Sequence, residues 1–520
     1  MNRSTLSLAG AVVALAVLTG AASLSGSGDS DATPAGAAAR LPVQRSSLLC
    51  PEPSSSDFAS TTYTSFTPQG ASAAGSADSG SGSGSDSGSG SGSGSGSASG
   101  DSGDSGGDSA TLVPVGAKPK PLKPLTAPGK PATSSNDTAG APALIGTANG
   151  ALAPGWTVQQ STVVNDGPER GLLGLSCVAP DSEFWFPGAT TEDGNQDYVD
   201  LVNPDETPAV VDIELYGRNG LLKASTGDGI TVPGGSSKPV LISTLVADKA
   251  PDLTVHVVAR SGRVGAAVQA TVTNGGADWL PAAADPATSL VMPGIPADAT
   301  DVRLTAYDTG SDDADLTLKL ATSTGPITPA GHETLHVKSG MTTAVDLGDI
   351  TKGEVGSLIV GSSTVHPAQP VVVSLRITRG KGGKGGKQDI AFLPATAPLV
   401  TRGTAADNRS KGSTLALTAT GADATVKITS SAGSSGGTEA TKTVTVKAGS
   451  TVSMAPPQPS GLKGAYAVTV QRLSGGQVYA SRMLELPLDG VPMFTIQPIP
   501  DDKGLVAVPQ ADSDLRILEQ

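Results

Sequence analysis

Two short strand-like patterns recur along this chain at a spacing of little more than a hundred residues. That recurrence limits the fold more than any other feature. One precedes a glycine-containing turn: Thr231-Val232-Pro233-Gly234-Gly235, His336-Val337-Lys338-Ser339-Gly340 and Thr445-Val446-Lys447-Ala448-Gly449, so that Thr231, His336 and Thr445 are 105 and 109 residues apart. The other opens each unit: Phe184-Trp185-Phe186-Pro187-Gly188, Leu290-Val291-Met292-Pro293-Gly294 and Leu399-Val400-Thr401-Arg402-Gly403, at intervals of 106 and 109 residues. A third element, read as an apolar hairpin, closes the units at 253–272, 358–377 and 465–486. Such a period is too long for a solenoid repeat or a propeller blade.

Within each unit, Val, Ile, Thr and Leu alternate with polar residues, as in Val211-Asp212-Ile213-Glu214-Leu215-Tyr216 and Leu316-Thr317-Leu318-Lys319-Leu320. Period-two alternation on β-branched residues predicts half-buried strands. About seven such strands per unit, with frequent turns, point to a β-sandwich. The expected fold class is therefore all-β: tandem immunoglobulin/fibronectin-like β-sandwich domains with a disordered Gly/Ser-rich segment near the N-terminus. The boundaries read as 178–280, 281–393 and 394–500, with a C-terminal tail over 501–520. Trp185 and Trp279 lie near unit boundaries, where they are expected to fill inter-domain seams.

A fainter copy lies upstream. Ser47-Leu48-Leu49-Cys50-Pro51 resembles the opening strand, with Cys50 at the place of Phe186 or Met292, and 156–164 with 171–177 resemble the closing hairpin. This predicts an interrupted N-terminal β unit over 46–177 carrying a disordered insert over 67–142. The alternative is one long disordered arm over 23–142. Residues 71–109 contain only Ala, Gly, Ser and Asp. Side chains no larger than methyl and carboxymethyl cannot offset the entropy of ordering the backbone, so this stretch is expected to be disordered. Lys118 to Pro131 is rich in proline and lysine and reads as an extended, mobile linker.

The first residues read as an export segment: Arg3, an uncharged apolar run from Leu6 to Leu18, then Gly20-Ala21-Ala22. Residues 1–22 are a signal peptide or, if uncleaved, an N-terminal anchor, and 23–45 are expected to be disordered. The expected location is extracellular or cell-envelope associated, with membrane contact only through an uncleaved N-terminal segment. Cys50 and Cys177 are the only cysteines. In an exported chain an even count favours a disulfide; the alternative is two buried free thiols.

Charge and composition narrow the function. Acidic residues number 48 against 34 basic ones, a net charge of −14, and aromatics make up 3%. This excludes a nucleic-acid-binding surface. Two cysteines and four scattered histidines argue against a four-ligand zinc site. Ser176, in Gly174-Leu175-Ser176-Cys177-Val178, lacks the nucleophile-elbow glycine. Ser460-Gly461-Leu462-Lys463 has the serine-x-x-lysine spacing but neither companion motif. Gly380-Lys381-Gly382-Gly383-Lys384-Gly385 has dinucleotide glycine spacing with no helix to follow it. Arg376, Arg379, Lys381, Lys384 and Lys387 read instead as a basic loop, either a plain linker or a contact for anionic wall polymer. The acidic turns Glu192 to Asp197 and Asp308 to Asp315 lack the twelve-residue calcium loop. His256, His332, His336 and His366 lack metal spacing.

The run Gly171-Leu172-Leu173-Gly174-Leu175-Ser176-Cys177, followed by Phe184-Trp185-Phe186-Pro187, Leu201-Val202-Asn203-Pro204, Leu215-Tyr216-Gly217 and Trp279-Leu280-Pro281, resembles an actinobacterial family of secreted proteins known as domain of unknown function 5719. The resemblance covers roughly 44–490 and implies no activity, substrate or catalytic residue. No cofactor and no metal are expected. The function expected is non-enzymatic: an exported multi-domain β-sandwich protein acting as a cell-envelope interaction or scaffold module, with a wall polymer or envelope protein as partner. The alternative is a glycan- or anionic wall-polymer-binding protein.

Overall fold

The computed structural model describes residues 39–70, 108–116, 120–224, 226–273, 275–363, 367–382 and 387–508. The export segment, nearly all of the Gly/Ser tract, Lys384 and His366 lie outside the described residues. Residues 42–506 form one compact unit. The terminal strands Ala39–Pro42 and Leu505–Val508 pair with each other in a two-stranded sheet and mark a second unit. Strands therefore occur within 23–45, read from sequence as disordered, and within the C-terminal tail over 501–520.

The all-β expectation holds, and the chain is built from four sandwich modules over 45–176, 183–280, 289–394 and 402–498. Module 2 shows the plan. Besides the two-residue strand Gly220–Leu221, which pairs with the third, its eight strands are Glu183–Ala189, Asn195–Val202, Ala209–Gly217, Ile230–Val232, Ser237–Leu241, Leu253–Ser261, Gly265–Val272 and Gly276–Leu280. One sheet runs in the order first, sixth, third, fourth, and the other fifth, second, seventh, eighth. Module 3 repeats this order strand for strand between Ser289–Ile295 and Lys387–Pro394. Alternation sets the cores. Val199, Leu201, Val211, Ile213, Leu215, Val255, Val257 and Val268 all point between the sheets of module 2 and are buried. Aliphatic side chains carry these cores because aromatics are scarce, each contributing roughly 1.5–3 kcal/mol on burial.

Several expectations need correction. The strand order itself is not among them: the path first–sixth–third runs as B–E–D and the path second–seventh–eighth as C–F–G in an immunoglobulin domain, with the fourth and fifth strands added at the edges and none at the place of A. Here the chain crosses between sheets at nearly every connection, as in double-sheet Greek-key folds. The sixth and seventh strands, read from sequence as a closing hairpin, do not pair with each other in modules 2 and 3; each joins a different sheet. In module 4 they fuse into one strand, Tyr466–Glu485, and the second and third strands fuse into Ser413–Ser430. In module 1 the pair 157–164 and 171–176 is a true hairpin, but of seventh and eighth strands. The opening marker of module 4 was also out of step. The irregularity after Phe186-Pro187 and Met292-Pro293 recurs after Ala405, at Ala406-Asp407, not at Arg402-Gly403.

The insert over 67–142 is structured in part. Ser109–Pro114 and Ala132–Asn136 are the third and fifth strands of module 1. The Pro/Lys-rich stretch stands where the other modules have their fourth strand. The Leu125 N–H donates to the Ala110 carbonyl at 3.0 Å, and Leu125 is 3% exposed. Two leucines, Leu122 and Leu125, pack on the module core and hold the segment against it. Pro121 and Pro124 keep it from continuing the ladder, a usual way of blunting a sheet edge. The Gly/Ser tract thus leaves module 1 after its second strand, Ala59–Phe66, and re-enters at its third.

The four modules close into a ring within 42–506. The first strand of modules 2, 3 and 4 lies on the second and seventh strands of the next module, with module 4 contacting module 1. Module 1 contacts module 2 in the same sense, Leu49 lying against Gly265. The four eighth strands, Gly171–Ser176, Gly276–Leu280, Lys387–Pro394 and Phe494–Pro498, meet around the centre. Each packs on the module before it. Phe494 and Ile496 join the core of module 3, Ile390 and Phe392 that of module 2, and Ala277 and Trp279 pack on Val164, Leu173 and Leu175 of module 1. Leu172 of module 1 completes the circle on Leu484, Val491 and Met493 of module 4.

Eighth strands are sheet edges, so their outward N–H groups meet in a dry centre and need acceptors. Two buried carboxylates supply them. Asp278 accepts the Gly174 N–H at 2.9 Å and the Thr495 hydroxyl at 3.0 Å; Asp389 accepts the Phe494 N–H at 3.0 Å. Space is tight. A Cβ on Gly174 would lie 2.4 Å from the Thr495 methyl, and Gly276, at φ +116°, would place one 2.2 Å from Asp389 Oδ1. Burial pushes both carboxyls well above the ordinary carboxylate range, and the charge of Asp389 raises Asp278 further. A folded-state value above the unfolded one gives stability that is fully present in acid and is lost as pH rises through the folded value. Urea titrations at about pH 5 and about pH 8 should show the chain weaker at the higher pH, and Asp278→Asn, which keeps the acceptor for Gly174, should shrink that difference.

Candidate functional site

The outer face of the first-sixth-third sheet of module 2 carries the densest group of chemically versatile side chains. Strand register builds it. Glu214 lies directly opposite His256, and His256 directly opposite Trp185. Two-residue periodicity puts Glu183 on the face of Trp185 and Tyr216 on that of Glu214. Tyr307, at the end of the second strand of module 3, closes over this row.

The contacts are close. The Trp185 indole stacks on the His256 imidazole with centroids 3.6 Å apart and planes 9° from parallel, and on Tyr307 at 5.4 Å. Tyr216 and Tyr307 lie 4.6 Å apart. His256 Nδ1 is 2.9 Å from Glu214 Oε2, and Nε2 is 3.0 Å from Glu183 Oε1. Trp185 Nε1 donates to Glu183 at 3.1 Å, and the Tyr216 hydroxyl to Glu214 at 2.8 Å. The His256 side chain is 11% exposed, while Glu183 and Glu214 are 56% and 36% exposed. Burial pushes the Tyr307 hydroxyl up to about 12; burial and the hydrogen bond to Glu214 push Tyr216 up as well. Both phenols therefore stay protonated donors.

The arrangement sets one ring nitrogen of His256 against each of two carboxylates, with the indole across the imidazole face. The nearest hydroxyls are already engaged: Thr342 donates to Thr254 and to the Tyr216 carbonyl. Both faces of Trp185 are covered, by His256 and Tyr307, so the indole fills the seam between modules 2 and 3. Trp279, 0% exposed, likewise fills the seam between modules 1 and 2. Sequence reading noted of His256 only that it lacks metal spacing, and missed Glu183, Glu214, Tyr216 and Tyr307. The usable signal was Glu214-x-Tyr216 beside Glu183-x-Trp185, two acid–aromatic pairs at strand spacing.

The residues singled out from sequence fall elsewhere. Cys50 and Cys177 form a disulfide that ties the first strand of module 1 to the end of its eighth. The described residues of the basic loop take different directions. Arg379 turns inward: its guanidinium bonds Asp298 at 2.7 and 2.8 Å and Glu485 at 2.6 Å and lies 4.9 Å over the Phe494 ring, clamping module 3 to module 4. Arginine's planar fork suits such a bidentate, stacked site. The Lys387 ammonium donates to the Asp489 carbonyl. Arg376 is half-buried and Lys381 is exposed. Ser176 accepts from Gln159 Nε2 at 3.2 Å. His336 bonds Asp315 at 2.8 Å. Among the described residues, no group of three or more His, Cys, Asp or Glu side chains is placed to hold a metal, and no helix is long and apolar enough to cross a membrane.

A family model described as a family of unknown function (DUF5719) matches residues 132–457, the family whose pattern these residues resemble. No curated protein and no solved structure matches the chain.

Proposed function

From the premise that the chain belongs to the DUF5719 family, whose description assigns no function, we propose that it is an exported, non-enzymatic scaffold or interaction module of the cell envelope. The observation that carries this reading is the closed ring of four sandwiches. Side chains of catalytic type are spent on seams: His256 on two glutamates, Arg379 on two acids, Asp278 and Asp389 on strand edges. A body locked in this way suits holding partners at fixed spacing. The disulfide fits an oxidising compartment.

The test is to express the full chain with its own N-terminal segment in a bacterium with a general export pathway. Culture fractions are then separated and the recovered chain weighed before and after reduction. The reading expects recovery from the envelope or medium with Cys50 and Cys177 bonded. A reduced chain confined to the cytoplasm overturns it. So does breakdown of envelope polymer by the purified chain that is lost in Glu214→Gln.

The second reading, contact with anionic wall polymer, keeps one structural support. The hairpin of seventh and eighth strands in module 3 sets Lys381 directly opposite Lys387, two like charges at one tip. Replacing both with alanine should abolish retention on purified cell wall if that contact exists.

A further inference from the structure

We propose that the fourth strand of module 4, Ala440–Val446, is a self-pairing edge through which two copies of this chain dimerise by continuing their sheets. Among the described residues the strand is the outermost of its sheet, paired on one side only, with 424–430. The corresponding edges of the other modules are guarded. Module 2 has only Ile230–Val232 there, module 3 only Thr334–Val337, and module 1 the segment broken by Pro121 and Pro124. Short strands and prolines are the usual means of preventing edge-to-edge association. Ala440–Val446 has seven residues, no proline and no irregularity in its register. Thr441, Lys442, Thr443 and Thr445 are exposed along it. Threonine and valine are strong strand formers, and threonines facing across a pair of strands stabilise it.

The occupant is a second copy because the sequence is self-complementary about one residue. A two-fold antiparallel pair centred on Thr443 sets Thr441 opposite Thr445 and Lys442 opposite Val444. It also sets Glu439 opposite Lys447, twice, and both residues are exposed. Centring on Lys442 would place two lysines face to face, which is unfavourable. Centring on Val444 would leave Glu439 opposite Gly449. Charge thus selects one register, and the two-fold operator closes the assembly at a dimer. A dimer so formed would present two rings, doubling the partner sites of an envelope scaffold.

Sedimentation equilibrium of the purified full chain over a range of concentrations is the test. The expected result is a monomer–dimer equilibrium. Thr443→Lys should weaken it about tenfold by opposing like charges at the two-fold centre, with the melting temperature unchanged because Thr443 is exposed. Glu439→Lys and Lys447→Glu should each weaken dimerisation, and the double exchange should restore it. A monomer at every concentration overturns the proposal and leaves the edge to a strand of some other protein. A dimer indifferent to Thr443→Lys, or one not rescued by the charge exchange, places the contact elsewhere and overturns it equally.

Discussion

Replacing Cys50 and Cys177 together by serine is expected to cost about 2–5 kcal/mol, the range for removing a native disulfide. The loss should be focused on module 1. The bond joins residues 127 apart and sits in the core of that module, among Tyr63, Leu112, Leu144 and Trp156. Module 1 also carries the long Gly/Ser tract between its second and third strands. Without the bond, its two halves are held only by sheet pairing and a small core. Limited proteolysis, read by mass spectrometry, should show cuts between 45 and 177 appearing at low protease, while 183–498 stays intact. Uniform resistance of the double variant would mean that the ring alone holds module 1 together.

The second large effect is expected at the seam where module 4 meets module 1. This is the one junction in the ring that chain continuity does not enforce. Beside the apolar contacts of Leu172 and Phe66, it holds a set of buried polar ones. Arg482, 0% exposed, donates to Gln159 of module 1 at 2.7 Å and to Gln497. Asp407 accepts from the Thr64 hydroxyl at 3.3 Å and from Arg409 at 3.1 Å, and its N–H donates to Gln159 at 2.8 Å. Arg402 reaches the Gln69 carbonyl at 3.1 Å. Burial lowers the Arg482 guanidinium to about 10, and the Asp407 carboxylate is the first charge opposing that shift. Asp407→Ala therefore leaves a buried cation without the carboxylate that most offsets its burial, at a cost of about 3–5 kcal/mol. Arg482→Met should cost far less, about 0–2 kcal/mol, since it removes the charge and fills most of the space. The double variant should be more stable than Asp407→Ala alone. Chemical denaturation of the four proteins measures this directly, and a strictly additive double variant would show that the two charges do not interact.

Asp407 also illustrates how the copies have diverged. It stands where Gly188 and Gly294 stand in modules 2 and 3, one residue beyond the turn of the first strand. Those glycines sit close to the neighbouring module, with a Cβ on Gly294 falling 2.6 Å from the Ser481 hydroxyl. At the open junction, a charged side chain replaces the close approach. The other three seams are also joined by chain linkage, which keeps their partners at high effective concentration.

The repeat, the strand content and the pairing of the two cysteines were readable in the chain because each rests on local or composition-level physics. Alternating β-branched residues prefer a pleated, half-buried backbone wherever they occur. Turn residues punctuate the strands, and two cysteines at matching places in one module leave one pairing. Period two could not tell a hairpin from a crossing, since a strand presents the same alternation whichever sheet receives it. The fusion of strands in Ser413–Ser430 and Tyr466–Glu485 was hidden for the same reason. The Pro/Lys-rich stretch was misread because two leucines sufficed to bind it to a core that the sequence does not display.

The inward turn of Arg379 was hidden for a different reason. Nothing local tells Arg379 from Lys381; the direction each side chain takes depends on Asp298, Glu485 and Phe494, supplied by residues 81 or more positions away. Closure of the ring joins Thr64 to Asp407 across 343 residues. The amino-acid order alone therefore settled what each module is, through backbone preference and the burial of aliphatic faces. The assembled structure alone decided how modules meet and which charges end inside, because those outcomes rest on distant edges being brought together and on the need to satisfy every polar group left there.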